Sequence, residues 1–269
     1  LVIGVGSAPS EGGTVVVRDG GVVAAGRAVA KPAGIATVDA GGRWVTPGIV
    51  ADFTRMAIEA LGGGDETNDA GARTSPFHAA IDIAPAVNPA TSSIPLNRAE
   101  GVTRAIVAPD NAGSIFAGQG AVIDLGADRS PITRARAFQF MEYGEGGARA
   151  AGGSRPAALI AFRNAIAQAR DYARDPAHYA DQGKDALLTR ADAEALVPVV
   201  NGRMPLLVHV ERAADMLALI ELKRDFPALK LVFVGAGEGW MVARELAAAH
   251  VPVIASALAD LPESFDQLG

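Results

Sequence analysis

The residue of this chain with the clearest potential for chemistry is a histidine. His209 lies near the end of the apolar run Pro205–Val210, and a run without alternation is typical of a strand that is covered on both faces. Imidazole titrates near neutral pH and also binds metals, so a histidine at the end of such a strand can transfer protons or hold a ligand. The alternative is a histidine whose ring nitrogens are satisfied by neighbouring residues in a residual pocket.

The other three histidines are weaker candidates. His78 lies in a long irregular stretch and can reach the same face as His209 if that stretch folds over it. His178 follows a predicted helix in a polar segment, where we expect it to be solvent-exposed. His250 falls at the end of another predicted helix, where a cation suits the helix dipole and needs no functional role. With no cysteine in the chain, thiolate catalysis, disulfides and cysteine-based metal sites are excluded.

Two further motifs have ordinary explanations as well as functional ones. Asp65-Glu66-Thr67-Asn68-Asp69 offers oxygen ligands for a cation, but its spacing is not that of an EF-hand, and a solvated acidic loop is the favoured interpretation. Gly235-Ala236-Gly237-Glu238-Gly239-Trp240 follows a predicted strand and has tryptophan where a dinucleotide fingerprint needs glycine or alanine. Backbone N–H groups at this turn could still hold an anion. No nucleophile elbow or P-loop occurs, and Ser154 and Ser264 have no nearby base.

The elements that must position these residues begin with a small β unit. Two β-rich runs, Thr14–Arg18 and Val22–Ala25, flank Asp19-Gly20-Gly21 and predict a hairpin, because Asp-Gly readily adopts the positive φ of tight turns. A further short strand is predicted near Ala36–Asp39. After Pro47 the pattern changes to alternating strands and helices, which indicates a parallel sheet. Either a (β/α)8 barrel or an open doubly wound sheet fits that alternation.

The predicted segments after Pro47 can be stated by residue range. Strands are predicted at 45–53, 103–108, 121–125, 205–210, 229–234 and 251–255, and helices at 155–174, 191–201, 212–224 and 238–249. Two irregular stretches, 62–100 and 126–153, are long enough to be functional loops. In a barrel such loops lie over the C-terminal face, where active sites form.

Composition limits the classes of partner. The 269 residues are 49% hydrophobic, enough for one large core. The net charge of −6 and the scattered basic residues argue against nucleic acid, and no apolar run is long enough to predict a membrane span. The chain starts at Leu1 without methionine and stops at Gly269 after a strand–helix pattern, so we expect both ends to be trimmed and any signal peptide to lie outside it.

Several segments, in order, resemble the amidohydrolase superfamily. Thr46-Pro47-Gly48-Ile49-Val50-Ala51-Asp52 resembles its first barrel strand, and Gly101-Val102-Thr103 resembles the start of its second. Gly118–Val122, Gly152–Arg155 and Pro205–His209 resemble the imidazolonepropionase-like branch. The resemblance implies a TIM (β/α)8 barrel over residues 46–269, incomplete at its C-terminal end, with residues 1–45 as a small β-sandwich portion.

The same resemblance implies a zinc-dependent site, yet this chain lacks most of its ligands. The histidine pair of the first strand is replaced by Phe53 and Arg55, and a benzyl group and a guanidinium offer no lone pair to a metal. His209 matches the ligand of strand five, whereas Val234–Gly237 has glycine where strand six carries histidine. Glu145 lies near the position of a bridging residue. Strand eight falls outside the chain. We therefore expect no metal cofactor.

Arg55 has two interpretations if it occupies the position of the second histidine. It can hold a carboxylate of a ligand, or it can pair with Glu145, Asp52 or Glu211, and the paired arrangement is favoured. Candidate catalytic residues are therefore His209, Arg55 and Glu145.

Three functions remain open on these residues. The first is a degenerate, metal-free amidohydrolase-superfamily protein that binds an amide or peptide-like ligand or partners an active paralogue. The second is a hydrolase of C–N bonds other than peptide bonds that uses His209, Arg55 and a carboxylate. The third is a scaffold or oligomerisation module whose pocket is filled by Phe53. A homo-oligomer or a paralogue partner is expected; the resemblance favours the periplasm, with the cytoplasm as the alternative.

Overall fold

The computed structural model describes residues 8–59, 68–127, 129–179 and 187–255, and the chain divides into two compact units, residues 1–49 and 50–269. In the first unit, β1 (Thr14–Arg18) pairs antiparallel with β2 (Gly21–Gly26). Asp19 and Gly20 turn the chain with φ values of 51° and 75°. The antiparallel pairing confirms the predicted hairpin. The two positive φ values are those that both central residues of such a tight turn need.

The rest of the first unit differs from the prediction. Residues 36–39 form no strand, so that prediction was wrong. Within its described residues, 8–49, the unit contains one two-stranded sheet, and its assignment to a β-sandwich stays a prediction.

The remaining strands form one nearly closed barrel sheet in which neighbours follow chain order. Over the described residues its strands are β3 (Ile49–Thr54), β4 (Val102–Val107), β5 (Phe116–Asp124), β6 (Ile132–Glu142), β7 (Leu206–Val210), β8 (Leu231–Gly235) and β9 (Val253–Ala255). The α-helices in the same part of the chain are α1 (Ser93–Ala99), α2 (Glu145–Ala150), α3 (Arg155–Arg174), α4 (Arg190–Val200), α5 (Ala213–Asp225) and α6 (Ala243–Ala248). Short 3-10 turns occupy Ala84–Ala86 and Gly239–Val242.

The first half of the sheet contains antiparallel strands, whereas the predicted β/α alternation implies parallel strands throughout. Pairing is antiparallel between β4 and β5 and between β5 and β6, whereas β6, β7, β8 and β9 are mutually parallel. A crossover helix is needed only between parallel strands. The described residues of the connections from β4 to β5 and from β5 to β6 contain no helix, and those strands return antiparallel.

The second half of the chain agrees closely with the predicted pattern. Helix α3 matches its predicted range because both ends carry clear signals. The Ser154 side chain accepts a hydrogen bond from the N–H of Ala157 at 3.3 Å, and Asp175 before Pro176 ends the helix. In contrast, β6 was missed, since residues 126–153 were interpreted as a loop. The predicted buried strand at 45–53 begins at Ile49, whose side chain is largely exposed.

Two apolar clusters pack against opposite faces of the sheet. The outer one joins strand residues such as Val208 and Phe233 to helix residues such as Phe162. The inner one contains Phe138, Phe140, Leu207 and Val234, and Phe53 packs against it. The barrel interior is therefore filled by side chains, and a site can form only beyond this layer, at the strand ends. No helix among the described residues is long and apolar enough to span a bilayer.

Candidate functional site

The centre of the site is set by the register of two parallel strands. Glu142, the last residue of β6, lies directly opposite His209 on β7. Two residues earlier on each strand, Phe140 and Leu207 belong to the inner apolar cluster. Because side chains alternate along a strand, Glu142 and His209 continue the same inward face, one layer nearer the C-terminal mouth. The sheet therefore brings a carboxylate and an imidazole together where active sites of this architecture form.

His209 is held by two carboxylates, one on each side of its ring. Its Nδ1 lies 2.8 Å from Oε1 of Glu142, and its Nε2 lies 3.0 Å from Oε1 of Glu211. A neutral imidazole has one N–H and one lone pair, so it can donate to only one of these carboxylates. The doubly protonated form donates to both. The arrangement of Glu142, His209 and Glu211, here called the histidine clamp, therefore favours an imidazolium.

The electrostatics of the histidine clamp lead to the same conclusion. Burial lowers the pKa of His209, but the hydrogen bonds and negative charges of Glu142 and Glu211 outweigh it and raise the pKa from 6.5 to about 10. At neutral pH the ring is therefore a cation with both N–H groups in use. It has no lone pair with which to accept a proton or bind a metal.

Glu211 is fixed by the turn that follows β8. Its Oε2 accepts a hydrogen bond from the N–H of Gly237 at 2.7 Å. Gly235 has φ of 85°, and a Cβ at this position would lie 2.2 Å from Oε1 of Glu211. The glycine-rich turn does hold an anion, as its sequence suggested, but that anion is the carboxylate of Glu211.

A second glycine pair places Glu145 beside the histidine clamp. Glu145 begins the short helix α2, directly after β6. A Cβ on Gly146 would lie 2.7 Å from Cγ of Glu142, and one on Gly147 would lie 2.4 Å from the carbonyl oxygen of Glu142. Only glycines allow α2 to lie this close to the strand end. Arg149, one turn later, lies 3.9 Å from the Glu145 carboxylate.

Arg55 makes an ion pair, but with a partner that sequence reasoning did not consider. Its Nη2 lies 2.8 Å from Oδ1 of Asp110, and both side chains are about half exposed. The predicted partners Glu145, Asp52 and Glu211 were wrong. The cause is strand order: Arg55 follows β3, Asp110 follows the neighbouring β4, and the N–H of Ala108 donates to the carbonyl of Thr54 across this pair.

Phe53 lies at the other position where the family resemblance implies a metal-binding histidine. Its ring packs at 4.9 Å, centroid to centroid, against the ring of Phe140. Phe53 thus extends the apolar filling of the barrel. It contributes no polar atom to the mouth.

The mouth contains a cavity of about 560 Å³ whose polar wall is formed by Asp110, Asn111, Glu142, Glu145, Arg149 and His209. A smaller cavity of about 210 Å³ shares Asp110 and Asn111 with it and extends towards Arg73. Two of the three predicted site residues, His209 and Glu145, therefore line one cavity. Arg55 is connected to it through Asp110.

The residues present do not fit a zinc ion of the kind that the resemblance implies. Across residues 8–59, 68–127, 129–179 and 187–255 there is no group of three or more His, Cys, Asp and Glu side chains arranged to hold a metal. His209 directs both ring nitrogens at carboxylates, Phe53 is part of the apolar core and Arg55 is a fixed cation. Metal ligation needs converging lone pairs, which these residues do not supply.

The remaining predicted residues lie away from this cavity wall. His78 donates its backbone N–H to the buried Asp192 at 2.9 Å, which anchors its loop to the start of α4. His178 is exposed, as predicted, and lies 2.7 Å from an oxygen of Asp175. His250 follows the end of α6 with φ of 51°. Residues 65–67 of the acidic cluster lie outside the described residues, and the Asn68 amide donates to Glu59.

Sequence reasoning missed Glu142 and Asp110. Glu142 could have been found from the alternation in Ala137-Phe138-Gln139-Phe140-Met141-Glu142, which is a strand pattern that ends in a carboxylate. Asp110 offers a weaker signal, because it stands three residues beyond β4 in an irregular segment. Glu211 was considered only as a partner for Arg55.

The comparisons with known proteins bear on the fold. No family model matches the chain, and no curated protein matches it. Among solved structures, it is similar to an amidohydrolase from Thermotoga maritima MSB8, with a TM-score of 0.76 and 22% sequence identity. The similarity covers 94% of this chain and 67% of the other. At this identity the likeness establishes a shared barrel fold, and function has to be argued from the site.

Proposed function

We propose that this chain is a degenerate amidohydrolase-superfamily protein that binds a small amide or peptide-like molecule in the cavity beside His209 and uses no metal. The observation that carries the proposal is the histidine clamp, in which Glu142 and Glu211 occupy both ring nitrogens. An imidazolium held in this way substitutes for the positive charge of a metal at the strand ends. Its assignment to the imidazolonepropionase-like branch rests on sequence motifs and stays a prediction.

Hydrolysis through the predicted residues is not supported by the same geometry. A general base needs a lone pair and a pKa near the working pH, whereas His209 has a pKa of about 10 and donates both N–H groups. Arg55 is held by Asp110 rather than directed at a substrate. His209 and Arg55 are therefore engaged by carboxylates of the protein itself. We infer that the cavity binds a ligand and does not hydrolyse it.

The open cavity favours a ligand over a purely structural role. A scaffold without a small-molecule site would fill the mouth with Phe53, but that ring packs inward against Phe140. About 560 Å³ remains beyond it, a volume typical of small-molecule sites. Its wall carries carboxylate, amide and guanidinium groups that can orient a polar ligand.

Zinc content tests the metal-free part of the proposal. The purified protein, expressed with zinc in the medium and without chelator, is expected to contain well below one equivalent of zinc by elemental mass spectrometry. The physical reason is the absence of lone pairs at Phe53, Arg55 and His209.

A matched variant makes this measurement specific. His209→Ala removes the only predicted ligand, so any background zinc should be the same in the variant and in the wild type. One or two equivalents in the wild type, reduced by His209→Ala, would overturn the proposal and identify His209 as a true ligand.

A further inference from the structure

We propose that the ligand of this cavity carries a positively charged nitrogen group, an ammonium or a guanidinium, and that Glu142 and Asp110 determine this specificity. The inference rests on the proposed binding function and adds the charge of the ligand to it.

The charge of the cavity wall is negative. Asp110, Glu142 and Glu145 are carboxylates, whereas Arg149 and the protonated His209 are cations. One negative charge is therefore left over. Two paired groups outside the wall, Arg55 beside Asp110 and Glu211 beside His209, add one positive and one negative charge, so this difference stays the same when they are included. In a partly enclosed cavity such an excess favours a cation.

Two carboxylate oxygens on the wall remain available to a ligand. Glu142 uses Oε1 for His209, and its Oε2 has no hydrogen-bond partner among the described residues. The Glu142 side chain is only 16% exposed, so an N–H donor in the cavity would replace hydration that is already restricted. Asp110 likewise uses Oδ1 for Arg55, while its Oδ2 has no partner among the residues that the structure describes.

The cations of the wall are poorly placed to hold an anionic ligand. His209 donates both N–H groups to glutamates. Arg149 is 75% exposed and lies beside the Glu145 carboxylate, so water competes strongly for its guanidinium. The acceptors thus face the cavity at partly buried positions, whereas the available cation lies at the rim. A ligand with an N–H-rich cationic group complements this wall best.

Two isosteric probes test the inference. N-acetyl-L-argininamide and N-acetyl-L-citrullinamide share the same diamide and differ in a guanidinium or a neutral urea. We expect the arginine compound to bind about tenfold more tightly at pH 7.5 in nuclear magnetic resonance titrations. Glu142→Gln should remove most of this preference, because it keeps an acceptor for His209 and removes the charge. Asp110→Asn, at the other carboxylate with an available oxygen, gives an independent second variant.

The control separates local recognition from general attraction by an acidic protein. Glu100→Gln removes an exposed carboxylate at the end of α1 and should leave the preference unchanged. Equal binding of both probes would overturn the inference but leave the proposed function standing. Binding of neither would overturn both. A preference that persists in both cavity variants, with unchanged melting temperatures, would also overturn the role of Glu142 and Asp110.

Discussion

Replacing Gly235 with alanine is expected to lower the free energy of unfolding by about 3 kcal/mol, the sum of two effects. Gly235 has φ of 85°, which an L-residue adopts only with strain. Its new methyl group would also lie 2.2 Å from Oε1 of Glu211, well inside contact distance. Either the turn after β8 or the Glu211 carboxylate has to move. In both cases the hydrogen bond to Nε2 of His209 is lost or weakened.

A second glycine isolates the contact with Glu211. Gly101 has φ of 91°, but a Cβ there would meet nothing within 4 Å. Gly101→Ala should therefore show the backbone strain alone, about 1 kcal/mol. Chemical denaturation of the two variants gives the difference. Equal losses would show that Glu211 does not press on Gly235, and the described histidine clamp would then be wrong.

A double variant checks that the two residues act on each other. Truncation of Glu211 to alanine removes the atom with which the Gly235→Ala methyl group collides. The second substitution should then cost less than it does in the wild type, which appears as a coupling energy of about 1 to 2 kcal/mol. Additive losses would indicate that Gly235 is required for the backbone alone.

The contact between Gly235 and Glu211 also shows what the sequence could and could not predict. From the family resemblance, a glycine in Val234–Gly237 meant a missing ligand. The structure shows that the carboxylate of Glu211, the residue directly after the neighbouring strand β7, occupies the adjacent space. Local pattern cannot reveal this, because Glu211 and Gly235 are brought together only by the register of β7 and β8, in which Val210 lies opposite Gly235.

Local signals predicted the helices and parallel strands of the second half well. Helix α3 has a serine cap at Ser154 and a stop before Pro176, and β7 and β8 are short apolar runs. The strand β6 lacks such a signal over its first half, where Arg134 and Arg136 are exposed. Because β6 was not predicted, its last residue, Glu142, was not considered as a candidate site residue. The antiparallel direction of β5 was missed for the same reason, since its partner was not recognised.

The sequence placed two candidate residues at the correct end of the barrel, but it could not identify the residues with which the candidates pair. His209 lies near the end of β7 and Glu145 follows the neighbouring strand β6, so both reach one mouth. Arg55 was expected to pair, and it does, but the choice of partner depends on which loop follows the adjacent strand. Sequence distance gives no information on that choice, because Asp110 lies 55 residues away.

The pH dependence of stability is expected to report the histidine clamp directly. In the unfolded chain His209 has the ordinary pKa of 6.5, and in the folded protein Glu142 and Glu211 raise it to about 10. The folded state therefore holds this proton more tightly. The resulting stabilisation is fully present below pH 6.5 and is lost as the pH rises through 10. Since the side chain is 35% exposed, we expect about 2 kcal/mol, well below the full linkage value.

The variant His209→Gln turns this dependence into a difference measurement. Glutamine can still donate to a glutamate but carries no charge, so wild type and variant should differ most near pH 6.5 and converge near pH 10. Urea unfolding at half-unit pH steps measures the difference, and titrations of other groups cancel because both proteins share them. A difference between His209→Gln and wild type that stays constant from pH 6.5 to 10 would mean that His209 is neutral in the folded protein. Its second ring nitrogen would then carry a lone pair, and His209 could serve as a metal ligand or as a general base.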